Sequence, residues 1–225
     1  MKLISAFLIF ACLLLPSCNS TPPTVTAGSI TVQYTAAAAP WLAGLYDCAG
    51  ANLVTAEQRA AVFLDPQSVD LAIRIGQSVN LTAPAYQIGS EDILVILNPQ
   101  NPIKALTVEQ VRGLFSGQIL NWQEINGSDA PVQVWVFFSG EDVWQIFEQT
   151  VLGGSLVTSM AQLAASPDEM AQAVASDFNA VGILTRHMKA GNVTAVYTVA
   201  TVPVLAFAPA KPQGAVQDLL ACLQK

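Results

Sequence analysis

The stretch from 93 to 122 reads Ile93-Leu-Val-Ile-Leu-Asn-Pro-Gln-Asn-Pro-Ile-Lys-Ala-Leu-Thr107, then Val108-Glu-Gln-Val-Arg-Gly-Leu-Phe-Ser-Gly117, and soon after Asn121-Trp122. Ile93 to Leu97 is apolar on both faces of an extended chain, the mark of a strand in the centre of a sheet covered on both sides. Thr107 followed by Gln110 is a capping-box pattern that opens a helix, and Gly117 stops it. A buried strand leading into an amphipathic helix is a unit of α/β architecture.

The same alternation runs outward in both directions. Upstream, Ser29-Ile-Thr-Val-Gln-Tyr34 alternates with period two. A helix follows with Pro40 at its first turn and Leu42, Leu45 and Tyr46 on one face. Thr55-Ala-Glu-Gln58 predicts a second capped helix, closed by Asp65-Pro66, and Val69-Asp-Leu-Ala-Ile-Arg-Ile75 predicts a strand. Downstream, Val132-Gln-Val-Trp-Val-Phe-Phe138 is a strand leading through Ser139-Gly140 into a helix with Val143, Ile146 and Phe147 on one side. Ser166-Pro-Asp-Glu169 opens another helix, with Met170, Val174 and Phe178 as its apolar stripe. Val181-Gly-Ile-Leu-Thr185, Val193-Thr-Ala-Val-Tyr197 and Val202-Pro-Val-Leu-Ala-Phe207 predict three more strands. The chain ends in a helix bearing Val216, Leu219, Leu220 and Leu223. Strands alternating with helices imply mostly parallel sheets flanked by helices, with ligands outside the carboxyl ends of the strands.

In their order, the apolar strand, Asn98-Pro-Gln-Asn-Pro102, Leu106-Thr-Val-Glu-Gln110, Leu114-Phe-Ser-Gly117 and Asn121-Trp122 resemble the phosphate-type (PstS-like) substrate-binding proteins of ABC importers. Ala180-Val-Gly-Ile-Leu184 is similar to the strand with which that family returns toward its first lobe. The resemblance implies a type II periplasmic-binding-protein fold: two α/β lobes, two crossovers and a solute in the cleft. It places lobe 1 at 29–97 plus 192–225 and lobe 2 at 98–191. It also implies an ABC permease as partner, a small solute as ligand, a monomer, no cofactor and no enzymatic chemistry.

The resemblance puts the ligand site on Thr35, Ala36 and Ala37 after the first strand, on Arg74, and on Ser139 and Gly140 at a helix start. There, free N–H groups and the helix dipole favour an anion. Where the family has threonine after Ser-Gly, this chain has Glu141 and Asp142, and no arginine precedes them. Two carboxylates beside that position oppose a bound phosphate, so the solute is left unnamed. The alternative reading of Glu141 and Asp142 is simple helix capping. Arg74 is an anion clamp, a partner for Glu141 or Asp142, or a solvated charge at a strand end.

Ahead of the fold, Lys2 and the apolar run Leu3 to Leu15 form an export signal too short to span a bilayer. Leu15-Pro-Ser-Cys18 resembles a lipobox, which implies cleavage after residue 17, a lipid on Cys18 anchoring the chain to the membrane outside the cytoplasm, and a polar tether over 18–28. Charged residues make up 11% and hydrophobic ones 52%, the balance of a chain with a large core. Net charge is −7, and loss of Lys2 with the signal takes it to −8, which argues against a nucleic-acid partner. His187 is the only histidine, too few ligands for a zinc site and a poor base for a nucleophilic Ser139. Export and the return of the C-terminus to the first lobe make Cys48 and Cys222 a candidate disulfide, the alternative being two apolar core thiols.

Overall fold

A computed structural model of the protein describes residues 28–77, 83–189 and 191–225. The signal, the lipobox with Cys18 and most of the tether lie outside the described residues. In the first half, β1 (Ser29–Tyr34) runs parallel to both β2 (Leu53–Gln58) and β3 (Leu71–Ile75). A 3-10 turn over Ala36–Trp41 and α1 (Leu42–Cys48) cross between β1 and β2.

In the other half, β5 (Gln133–Phe137) runs parallel to β6 (Gln162–Ala164) and β7 (Ala180–Thr185). Among the described residues, the α-helices of this half are α2 (Val108–Ser116), α3 (Asp142–Phe147) and α4 (Pro167–Ser176). α5 (Gly214–Leu223) closes the chain.

Two long strands join the halves. β4 (Ala85–Leu97) and β8 (Thr194–Phe207) lie antiparallel along their whole length. The carboxyl end of β8 pairs with β3, and β4 pairs with β7 from Ile93 to Leu97. One eight-stranded ladder results, in the order β2-β1-β3-β8-β4-β7-β5-β6. The outer strands are parallel, as alternation with helices requires, and among the described residues the antiparallel strand pairs β3–β8, β4–β7 and β4–β8 all involve one of the two crossovers. Register shifts between Gln87 and Gly89, Ile93 and Leu94, and Val95 and Ile96 bend the crossover pair.

The quoted stretch folds as read. Ile93, Leu94, Val95, Ile96 and Leu97 are all at most 1% exposed. At α2, Thr107 Oγ1 accepts from the Gln110 N–H at 3.2 Å and Gln110 Oε1 accepts from the Thr107 N–H at 2.9 Å. Gly117 ends the helix at φ +75, a left-handed turn that suits glycine. Asn98 Nδ2 donates to Ala175 O at 2.7 Å, and Asn101 Nδ2 to Phe178 O at 3.1 Å. The two asparagines thus tie the exit of β4 to the end of α4.

Several elements differ from the sequence reading. Thr55 to Gln58 is strand, not helix: β2 lies at the sheet edge, with Val54 and Ala56 half-buried and Leu53, Thr55 and Glu57 exposed. Pairing with β1 outweighs a four-residue capping pattern. Pro40 falls within the 3-10 turn, and α1 starts at Leu42. The stretches read as separate strands around 193–197 and 202–207 are one strand, because β4 supplies partners along its whole length. Phe178 lies beyond α4 and is 54% exposed, so the stripe ends at Val174.

Cys48 at the end of α1 is bonded to Cys222 in α5, with Cα atoms 5.7 Å apart. The bridge fastens the last helix to the first.

Candidate functional site

β1 and β3 end side by side, and the start of α3 faces them. Thr35 follows β1 and is completely buried, its N–H donating to Ile73 O at 3.0 Å. Its hydroxyl donates to Asp142 Oδ2 at 2.6 Å, and the Ile75 N–H donates to the same oxygen at 3.0 Å. Asp142 Oδ1 accepts from the Val143 N–H at 2.9 Å. Asp142 has no exposed surface, so donors from both halves converge on one buried carboxylate. Burial pushes its pKa up, while the hydrogen bonds from Thr35, Ile75 and Val143 and the nearby Arg74 draw it back.

Arg74 is the only charged residue of β3 and is 2% exposed, so it is not a solvated strand end. Its Nε donates to Ile75 O at 3.2 Å and Nη2 to Gln145 Oε1 at 3.2 Å. Among the described residues it has no carboxylate within ion-pair distance. Burial lowers its pKa, and the charge of Asp142 offsets part of that. Two further contacts close the halves together. The Val62 N–H donates to Gly140 O at 3.2 Å, and a Cβ on Gly76 would stand 2.6 Å from Ile146 Cδ1.

The predicted site residues therefore separate into groups. Thr35, Arg74 and Asp142 come together in a buried polar lock. Ser139 is exposed, and Gly140 is buried with its carbonyl occupied by Val62. The Thr35 hydroxyl and the Val143 N–H, donors that suit a bound anion, are already taken by the chain's own carboxylate. Ala36, Ala37 and Glu141 line a small cavity beside the lock, together with Phe137, Val143, Ala165, Ser166, Pro167 and Thr185. At about 20 Å³ it has room for little more than one water molecule.

Two polar groups in that cavity stand out. Glu141 is half-buried, and its pKa is pushed up to about 7, first by burial and then by the neighbouring Asp142. Thr185 is 2% exposed, and its hydroxyl is buried without a hydrogen-bond partner among the described residues. Sequence reasoning missed Thr185, Ser166 and Phe137 as cavity residues. The available signal for Thr185 was a lone hydroxyl at the carboxyl end of an apolar strand.

His187 is not a base for Ser139. Its Nδ1 lies 2.7 Å from Oε2 of the buried Glu91, and Arg186 pairs with Asp92 at 2.7 Å, both on the crossover strand β4. Trp122 and Trp144 are core residues, 1% and 4% exposed. Among the described residues no group of three or more His, Cys, Asp or Glu is placed to hold a metal, and no helix is long and apolar enough to cross a membrane.

Comparison with known proteins agrees with this architecture. Solved structures of similar fold include a protein assigned as a phosphate ABC transporter substrate-binding protein, with bound phosphate, from Clostridium perfringens. It has a TM-score of 0.77 and 18% identity, covering 87% of this chain and 92% of that one. An ABC-type phosphate transport receptor from Vibrio cholerae aligns with a TM-score of 0.69 and 19% identity, over 87% and 93% of the two chains. The CcmR regulatory domain of Synechocystis PCC6803, in complex with 2-PG, aligns at 0.65 and 13% identity, over 88% and 96%. At these identities the structures speak to fold. The family model described as a PBP superfamily domain matches residues 78–218, well over half of the sequence. The chain belongs to the PBP superfamily.

Proposed function

We propose that the protein is an exported solute-binding protein, anchored by a lipid on Cys18, that closes on a small solute and delivers it to an ABC permease. The observation that carries this reading is the cavity lined by Ala36 and Ala37 from the first half and by Glu141, Ser166 and Thr185 from the second. A solute there touches both halves, so its binding energy favours the closed arrangement, and the bent β4–β8 pair is where hinge motion takes place. The lobes are then 29–97 with 192–225, and 98–191. The Cys48–Cys222 bridge supports an oxidising compartment outside the cytoplasm. The phosphate receptors of similar fold support a transport role. Native mass spectrometry of the protein freshly purified from its own envelope is the test. A stoichiometric small-molecule adduct, released on mild denaturation, is expected, and its absence in every preparation counts against the reading. Labelled fatty acid should enter the wild type and not Cys18→Ser.

A second reading is favoured by one observation, the Asp142 carboxylate that already satisfies the lock without any solute. In it, the two-lobed body is an envelope sensor or assembly partner that takes no part in transport. It predicts no thermal shift with phosphate, sulfate, amino acids or sugars, and normal solute uptake in a deletion strain.

A further inference from the structure

The donors of the lock are occupied by Asp142, and Arg74 is engaged with Gln145 and the Ile75 carbonyl. The cavity beside them offers a different chemistry. Its charged group is the Glu141 carboxyl, which forms no ion pair with Lys, Arg or His among the described residues. Thr185 lines the same space, and its hydroxyl is buried without a partner among the described residues. The other walls include Ala36, Ala37, Phe137 and Pro167, which are apolar.

We infer that this cavity takes the head of a small primary ammonium compound, its ammonium group on the Glu141 carboxylate and the Thr185 hydroxyl, with Ala36, Ala37 and Phe137 as the apolar walls around that head. The assignment rests on the solute-binding reading above and supplies its substrate class. A half-buried carboxylate without a counter-charge favours a cation and repels an anion, the more so with Asp142 next in the chain. A primary ammonium carries three N–H donors on one compact centre, enough to serve both oxygen-bearing groups. A quaternary ammonium has none. Room for about one water admits an ammonium head and excludes a planar guanidinium.

Isothermal titration calorimetry on the full-length exported protein tests this, in HEPES at pH 8 and free of Tris. The probes are methylamine, ethanolamine and propylamine hydrochlorides, set against tetramethylammonium, ethylene glycol and orthophosphate. Saturable binding is expected for the primary amines alone. Glu141→Gln should weaken it tenfold or more, the loss of a charge-assisted contact, and Thr185→Val by at least about threefold. Glu57→Gln, an exposed carboxyl on β2, should leave it unchanged. Circular dichroism verifies that each variant is folded. Amine binding that Glu141→Gln does not alter, equal binding of tetramethylammonium or glycol, or a native adduct that is not an amine would overturn the amine assignment and leave the solute-binding reading standing. No binding of any probe together with no native adduct would overturn both.

Discussion

Asp142 and Glu141 are adjacent carboxyl groups with opposite surroundings. Asp142 is buried under three donors, and replacing it with Asn leaves one acceptor oxygen and sets an amide N–H against either the Ile75 or the Val143 N–H. We expect Asp142→Asn to lower unfolding stability by about 1–3 kcal/mol in urea titrations; an unchanged midpoint would mean that the lock contributes nothing. Glu141 is raised from its ordinary 4.5 to about 7 in the folded chain. The unfolded chain therefore ionises first as pH rises. Stability attributable to this group is intact below about 4.5, falls between 4.5 and 7, and is fully lost above 7. Glu141→Gln should then be more stable than wild type at pH 8 by about 1–2 kcal/mol, a figure reduced for solvent screening of a half-buried group, and indistinguishable from it at pH 4. Orthophosphate at neutral pH should give no calorimetric heat beyond dilution. Micromolar affinity would show that the two carboxylates are overcome.

Among the elements, α1 and α5 are far apart in sequence and packed together, with Leu223 Cδ2 3.7 Å from where a Cβ on Gly44 would sit. Cys48 and Cys222 close a loop of 174 residues. Chain entropy puts the contribution at roughly 5 kcal/mol as an upper figure. Cys48→Ser with Cys222→Ser should lower the unfolding free energy, read from guanidinium titrations, by a large part of that. Two free thiols in protein from its native compartment, found by mass under non-reducing denaturation, would remove the bridge from the account. β2 makes the complementary point about local signals. Thr55 to Gln58 satisfies the pattern of a helix start, yet parallel pairing from Ser29–Leu53 to Tyr34–Gln58 holds it as strand.

At the scale of the whole molecule, the two halves share the β4–β8 pair and are pinned across the cleft by Asp142, Arg74 and Gly140. Removing the first two contacts should free the hinge. The double variant Arg74→Ala, Asp142→Ala is expected to show a measurably larger radius of gyration than wild type in small-angle X-ray scattering, with its circular dichroism unchanged. Identical scattering would mean that the Val62–Gly140 hydrogen bond and apolar contacts such as Gly76 on Ile146 hold the halves closed without the lock.

What the sequence determined by itself is what short-range chemistry decides. The apolar run at Ile93 to Leu97, the caps at Thr107 and Ser166 and the glycine stop at Gly117 specify elements through neighbours a few residues away, and their order carried the family resemblance. Thr35, Arg74, Glu141 and Asp142 were visible as candidates, and their roles were not. A carboxylate at a helix start makes the same local bond whether or not distant partners join it, as Asp142 does with the Val143 N–H. Its partners Thr35 and Ile75 lie 107 and 67 residues away. The Thr185 hydroxyl is left without a partner among the described residues only once the chain has packed around it. The tertiary structure decided these points, because burial and long-range hydrogen bonding are properties of the packed chain and leave no periodicity in the sequence.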